Sequence, residues 1–153
     1  MEQIDPRISQ AVWSRVLGTS AEAPKTLSEL LTEYTIAACR SQSLYRQIAM
    51  TSTGGLVRSA QGLYQLSTSQ VRRLTAMYFL VQGATLPGQP RQGHPTDCLT
   101  KTLQRQYQTG QERFSEYRTS AHTYPEFSTF FNHLADEQGK IQEILMRLIA
   151  SRL

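Results

Sequence analysis

The sequence predicts an all-α chain: an antiparallel four-helix bundle with a long connection between its second and third helices and a short helix before the first. Three observations predict it. Four segments of similar length carry apolar residues at helical spacing. Gly and Pro gather between those segments, near residues 18–24, at Gly54-Gly55 and from Gly83 to Pro95, while Pro125 stands alone. Strand signals are nearly absent, with no sustained alternation of apolar and polar residues and no Asn-Gly turn.

The elements follow in order. A short N-terminal helix is expected over residues 8–17, with Val12, Trp13 and Val16 on one face. The first long helix is expected from Leu27 to Met50, opened by a Thr-x-x-Glu capping box of Thr26 and Glu29. Its stripe is Leu27, Leu30, Leu31, Tyr34, Ala38, Ser41, Tyr45 and Ile48. The second runs from Gly55 to Val81, with Leu56, Ala60, Leu63, Ser67, Val71, Leu74, Met77 and Val81 in line. The third runs from Asp97 to Ala121, with Leu99, Leu103, Tyr107, Gly110, Phe114, Tyr117 and Ala121. The fourth starts after Thr123, which is expected to pair with Glu126 in a second capping box, and carries Phe127, Phe131, Leu134, Glu137, Ile141, Ile144 and Leu148. Each long helix spans about 36–42 Å at 1.5 Å per residue. Single-stripe helices of matched length bury their stripes on one another, which makes a bundle. Residues 1–24 read as an N-terminal segment and 25–153 as the bundle itself.

The halves repeat weakly. A shift of 72 residues places Leu27 on Leu99, Leu31 on Leu103, Tyr45 on Tyr117 and Ala49 on Ala121. A shift of 70 places Val71 on Ile141 and Leu74 on Ile144. Two similar hairpins joined by a Pro/Gly-rich connection over residues 82–95 suit a crossover along the bundle.

Composition excludes several function classes. The 153 residues carry 16 Lys plus Arg against 12 Asp plus Glu, a net charge of +4. The basic residues are scattered and Arg72-Arg73 is their longest run, so no nucleic-acid partner is expected, since that footprint is a clustered stripe. No apolar run reaches the length of a membrane span, and the acidic start Met1-Glu2-Gln3-Ile4-Asp5 lacks the apolar core of a signal peptide. A cytoplasmic location without membrane attachment is the expectation. Two cysteines make no disulfide framework.

Every stripe changes character at mid-height. Ala38 stands on the first helix, Ser67 with Gln70 on the second, Gly110 on the third, and Glu137 with Lys140 on the fourth. Gly inside a helix costs about 1 kcal/mol relative to Ala. A carboxylate on an apolar face needs a partner or a proton. A polar or small-residue layer is therefore expected at the centre.

At this layer the chain resembles the ferritin-like superfamily, nearest to rubrerythrin-like bundles. Tyr45-Arg-Gln-Ile-Ala49 and Tyr117-Arg-Thr-Ser-Ala121 resemble the segments that follow the family's lone glutamates. Leu74-Thr-Ala-Met-Tyr78-Phe-Leu resembles the segment after its first Glu-x-x-His, and Leu134-Ala-Asp-Glu137 the approach to its second. The likeness covers residues 27–153 and implies a ferritin-like topology. In that family two Glu and two Glu-x-x-His pairs hold two iron or manganese ions. Here Ala38 and Gly110 stand where the lone glutamates belong, and the two pairs become Ser67-Thr-Ser-Gln70 and Glu137-Gln-Gly-Lys140. Of the ligand types only Glu137 remains, so neither a metal nor another cofactor is expected. The candidate layer is Ala38, Tyr45, Ser67, Gln70, Gly110, Tyr117, Glu137 and Lys140.

Two arrangements of that layer are open. Lys140 pairs with Glu137, three residues away, and supplies the charge a metal would have carried, with Tyr45, Tyr117 or Gln70 completing hydrogen bonds. Otherwise Lys140 reaches solvent and Glu137 bonds a tyrosine or water. His94, His122 and His133 form no ligand pair and read as surface histidines. Cys39 reads as a small buried side chain, and Cys98 stands where the third helix opens. The resemblance implies a non-catalytic ferritin-like protein without its di-metal centre, a binding or structural module that pairs as a homodimer. One alternative is a di-iron or di-manganese oxidoreductase, or a peroxide-reducing enzyme, with a displaced site drawing on Glu33, Glu112, Glu116 or His133. The other is a small-molecule pocket in the bundle core.

Overall fold

The computed structural model describes residues 24–88 and 98–152. The helix expected over residues 8–17, His94 and most of the connection lie outside the described residues. Four long helices pack against each other: α1 (Leu27–Thr51), α2 (Gly55–Gln82), α3 (Leu99–Thr123) and α4 (Ser128–Ser151). A single 3-10 turn, Pro125–Phe127, precedes α4. No strand occurs among the described residues. None of the described helices is long and apolar enough to cross a membrane.

The helix ends follow local chemistry. Thr26 accepts from the Glu29 N–H while the Glu29 carboxylate accepts from the Thr26 N–H, so the expected capping box opens α1. Gly54 at the start of α2 and Gly83 past its end have φ of 69° and 71°, a region that favours glycine. The second capping box does not form. Thr123 is the last residue of α3 and donates to the Thr119 carbonyl instead. Pro125, at the head of the 3-10 turn, delays the start of α4 to Ser128.

Two apolar clusters form the core. One gathers Leu31, Tyr34, Leu74, Tyr117, Phe131 and Leu134, and the other Tyr45, Ile48, Leu63, Leu103, Ile141, Leu145 and Leu148. Fully burying one such leucine stabilises by about 1.5–3 kcal/mol. The expected stripes of α1 and α3 face this core, with Tyr45 and Tyr117 only 2% and 1% exposed. On α4 the buried line differs from expectation. It runs through Leu134, Ala135, Gln138, Ile141, Gln142 and Leu145, which turns Glu137 to the margin.

Contacts between helices keep a consistent register. Between α1 and α3, Tyr34 meets Ser120 while Ser41 and Tyr45 meet Gln106. Between α2 and α4, Gly62 lies against Ile144, Gln70 against Gln138 and Arg73 against Glu137 and His133. Between α3 and α4, Thr100 meets Arg152, Gln111 meets Gln142, and Arg118 meets Asn132 and Asp136. In each set the residue numbers rise along one helix as they fall along the other.

Candidate functional site

A polar belt separates the two apolar clusters, and a chain of glutamines runs through it. Gln70 on α2 donates to Gln138 Oε1 at 3.1 Å and to the Leu134 carbonyl at 3.3 Å. Gln138 donates to Gln142 Oε1 at 2.9 Å, one turn along α4. Gln142 donates to the Tyr107 carbonyl at 2.8 Å and to Gln111 Oε1 at 3.3 Å on α3. Gln70, Gln138 and Gln142 are all buried. Each amide therefore satisfies the next, as buried polar groups must.

Gly110 has a physical reason to be where it is. A Cβ added there would come within 2.8 Å of Gln138 Nε2 and collide with Gln142 Oε1. Without a side chain at Gly110 the two glutamines lie flat against α3. The helix-propensity cost of glycine is offset by the hydrogen bonds that this approach permits.

Beside the glutamines lies a partly open cavity of about 30 Å³, space for one or two waters. Ala37, Ala38, Ser41 and Tyr45 line it from α1, Gln106, Thr109, Gly110, Arg113 and Tyr117 from α3, and Gln70, Gln138 and Ile141 from α2 and α4. Gln106 Oε1 accepts from the Ser41 hydroxyl at 3.3 Å and from the Tyr45 hydroxyl at 3.2 Å. The Arg113 guanidinium carbon stands 5.8 Å from the centre of the Tyr34 ring. Burial pushes the Tyr45 and Tyr117 hydroxyls far up in pKa, so both keep their protons.

Five of the eight candidate residues border this cavity: Ala38, Tyr45, Gln70, Gly110 and Tyr117. Ser67 is fully buried and donates to the Tyr64 carbonyl, apart from the cavity. Glu137 and Lys140 are not brought together. Glu137 accepts from Arg73 Nε at 3.0 Å, and Lys140 is exposed. Lys140 thus supplies no charge to the core. The reason is tertiary: residues 137 and 138 flank the Leu134–Ile141 line on opposite sides, and α2 sets Gln70 against Gln138 and Arg73 against Glu137. Gln106, Arg113, Gln138 and Gln142 were absent from the candidate layer. Gln138 and Gln142 continue the Leu134 spacing by four and four, but Glu137 and Ile141 continue it by three and four, so spacing alone does not single them out.

The remaining candidates sit at the surface. His122, His133, Glu33, Glu112 and Glu116 are exposed. Cys39 is half-buried and burial raises its thiol pKa, while Cys98 is exposed and N-caps α3. The di-metal centre implied by the resemblance does not fit the residues present. Alanine, glycine, serine and glutamine stand at four ligand positions, exposed Lys140 at a fifth, and Glu137 is taken by Arg73. Among the described residues no three His, Cys, Asp or Glu side chains gather as a metal would need. No family model, no curated protein and no solved structure matches the chain.

Proposed function

We propose that the protein is a non-catalytic four-helix bundle of ferritin-like topology that serves as a binding or structural module, its centre held by a glutamine network where the family it resembles places two metals. The observation that carries the reading is the Gln70–Gln138–Gln142 chain, which fills the mid-height of the core with neutral amides bonded to one another. A neutral, satisfied layer stabilises the bundle without a cation and offers no open coordination position.

The register supports the topology. α1 and α3 run oppositely, as do α2 and α4 and α3 and α4, on the pairings Tyr34–Ser120, Gln70–Gln138 and Arg118–Asp136. A three-residue turn, residues 52–54, reverses α1 into α2. Those four relations put α2 and α3 parallel, as a ferritin-like crossover between the second and third helices requires. The 16 residues 83–98 reach about 53–58 Å when extended, against about 40 Å for a helix of this length. The resemblance also carries a homodimer, and velocity sedimentation at high concentration is its check: a single monomer boundary removes it.

Metal analysis of protein purified without chelators tests the main reading. The expected result is iron and manganese far below one equivalent per chain. About two equivalents of either would overturn it in favour of a di-metal oxidoreductase.

A further inference from the structure

Basic residues that lie far apart along the chain gather at one end of the bundle. Thr100 meets Arg152, Tyr45 meets Gln106 and Gly62 lies against Ile144, so the end of α1, the starts of α2 and α3 and the end of α4 lie together. On that side of the glutamine belt the described residues carry six cations, Arg46, Arg58, Lys101, Arg105, Arg147 and Arg152, and one carboxylate, Glu143. All six cations are exposed. Over the rest of the described residues seven cations stand against seven carboxylates. The connecting sequence 89–97 adds Arg91 and Asp97, which cancel. Each of the six cations lies within six residues of its helix's end, about 9 Å at 1.5 Å per residue. Glu143 lies eight residues before the end of α4 and meets Arg147 at 3.9 Å, both side chains exposed, a pair that solvent screens.

We infer that this end of the bundle docks on an anionic lipid bilayer, with the six cations against the headgroups and Met50 entering between them. Charge and shape both favour such a partner. The screening length is about 10 Å at 0.1 M salt, so a charged plane laid across the end acts on all six cations at once. Each basic residue near an anionic leaflet strengthens binding by about fivefold. Met50, one residue from the end of α1, is 74% exposed, and an apolar side chain amid cations gains by entering the headgroup layer. Nucleic acid suits the end less well. Single strands stack on exposed aromatic rings, and here Tyr45, Tyr64 and Tyr107 are buried or half-buried. A duplex is met by a stripe of cations, whereas these surround an end and come from four helices. The contact is peripheral. It needs neither a membrane span nor a signal segment, the two features whose absence underlies the expectation of no membrane attachment. It also lies apart from the belt, so the metal content of the core does not bear on it.

Cosedimentation of the full chain with vesicles tests this, using phosphatidylcholine alone and phosphatidylcholine with about one-third phosphatidylserine. Binding is expected to the second and not the first at 50 mM salt, and to be lost at 0.5 M. The triple variant Arg46→Gln, Arg58→Gln, Lys101→Gln is expected to bind about a hundredfold more weakly, at fivefold for each cation removed. A control triple, Arg40→Gln, Arg72→Gln, Lys140→Gln, removes the same charge from exposed positions away from this end and is expected to weaken binding by less than about threefold. Met50→Gln is expected to weaken binding without changing its salt dependence. Helical circular dichroism checks that each variant folds. Equal losses in the two triples overturn the proposal, since net charge and not this end would then drive binding. No preference of the parent chain for phosphatidylserine overturns it as well, and that result needs no variant. Binding to a 30-base-pair DNA duplex or to polyglutamate that is tighter than to the vesicles, and that the first triple abolishes, overturns the bilayer in favour of that polyanion.

Discussion

Gly110 shows how one residue is fixed by another's side chain. Gly110→Ala gains about 1 kcal/mol of helix propensity. It also drives Gln142 from its bonds to Gln138 and Tyr107. Each buried amide left unpaired costs about 1–3 kcal/mol. A net loss of about 1–2 kcal/mol in urea unfolding is expected, and a stabilised Gly110→Ala would remove the packing argument. Gln138→Met strands both Gln70 and Gln142, and a loss of about 2–4 kcal/mol follows from the same penalty taken twice, less the gain of an apolar side chain. Replacing Gln70 together with Gln138 is expected to cost less than the sum of the single changes, the coupling being read in a double-mutant cycle. Lys140→Met, by contrast, alters an exposed side chain and is expected to shift stability by no more than about 0.5 kcal/mol.

Elements are set by their ends and by the angle of their inner face. Thr26→Ala breaks the capping box and is expected to cost about 1 kcal/mol in thermal or urea unfolding. Thr123→Ala removes no cap, since the Thr123 hydroxyl bonds back to Thr119, and little change is expected. A loss at Thr123 equal to that at Thr26 would contradict the observed start of α4. The two Thr-x-x-Glu patterns look alike in sequence, but the second is interrupted by Pro125, and the turn it makes absorbs Glu126. The α4 stripe shows a subtler limit. Glu137 and Gln138 differ by 100° of helix rotation, and both lie between Leu134 and Ile141 in the sequence. Only the position of α2, which brings Gln70 onto one and Arg73 onto the other, separates the inner residue from the marginal one.

Across the whole molecule the buried tyrosines tie stability to alkaline pH. Burial raises the pKa of Tyr45, Tyr117 and Tyr34 above the ordinary tyrosine value of 10.0. The sign follows from proton counting. Above pH 10 the unfolded chain has released these protons and the folded chain still holds them, so unfolding takes up hydroxide and stability falls. Below pH 10 both states are protonated and the contribution is fully present. The unfolding midpoint is expected to hold steady between neutral pH and about pH 9 and to fall above about pH 10. Tyr45→Phe is expected to make that fall shallower. An unchanged alkaline slope in Tyr45→Phe would mean that Tyr45 ionises freely in the fold.

Apolar periodicity alone determined that the chain is helical, where its four long helices lie and which tyrosines, leucines and small residues face inward on α1, α2 and α3. Those features are local: 3.6 residues per turn and a single apolar stripe leave little choice. It also placed a polar layer at mid-height through Ala38, Gln70 and Gly110. What fills that layer was a tertiary decision. Glutamine is polar by composition and buried only when a neighbour supplies its bonds, so nothing within α4 alone marks Gln138 as core and Glu137 as margin. The meeting of α2, α3 and α4 made that distinction and closed the amide chain over Gly110.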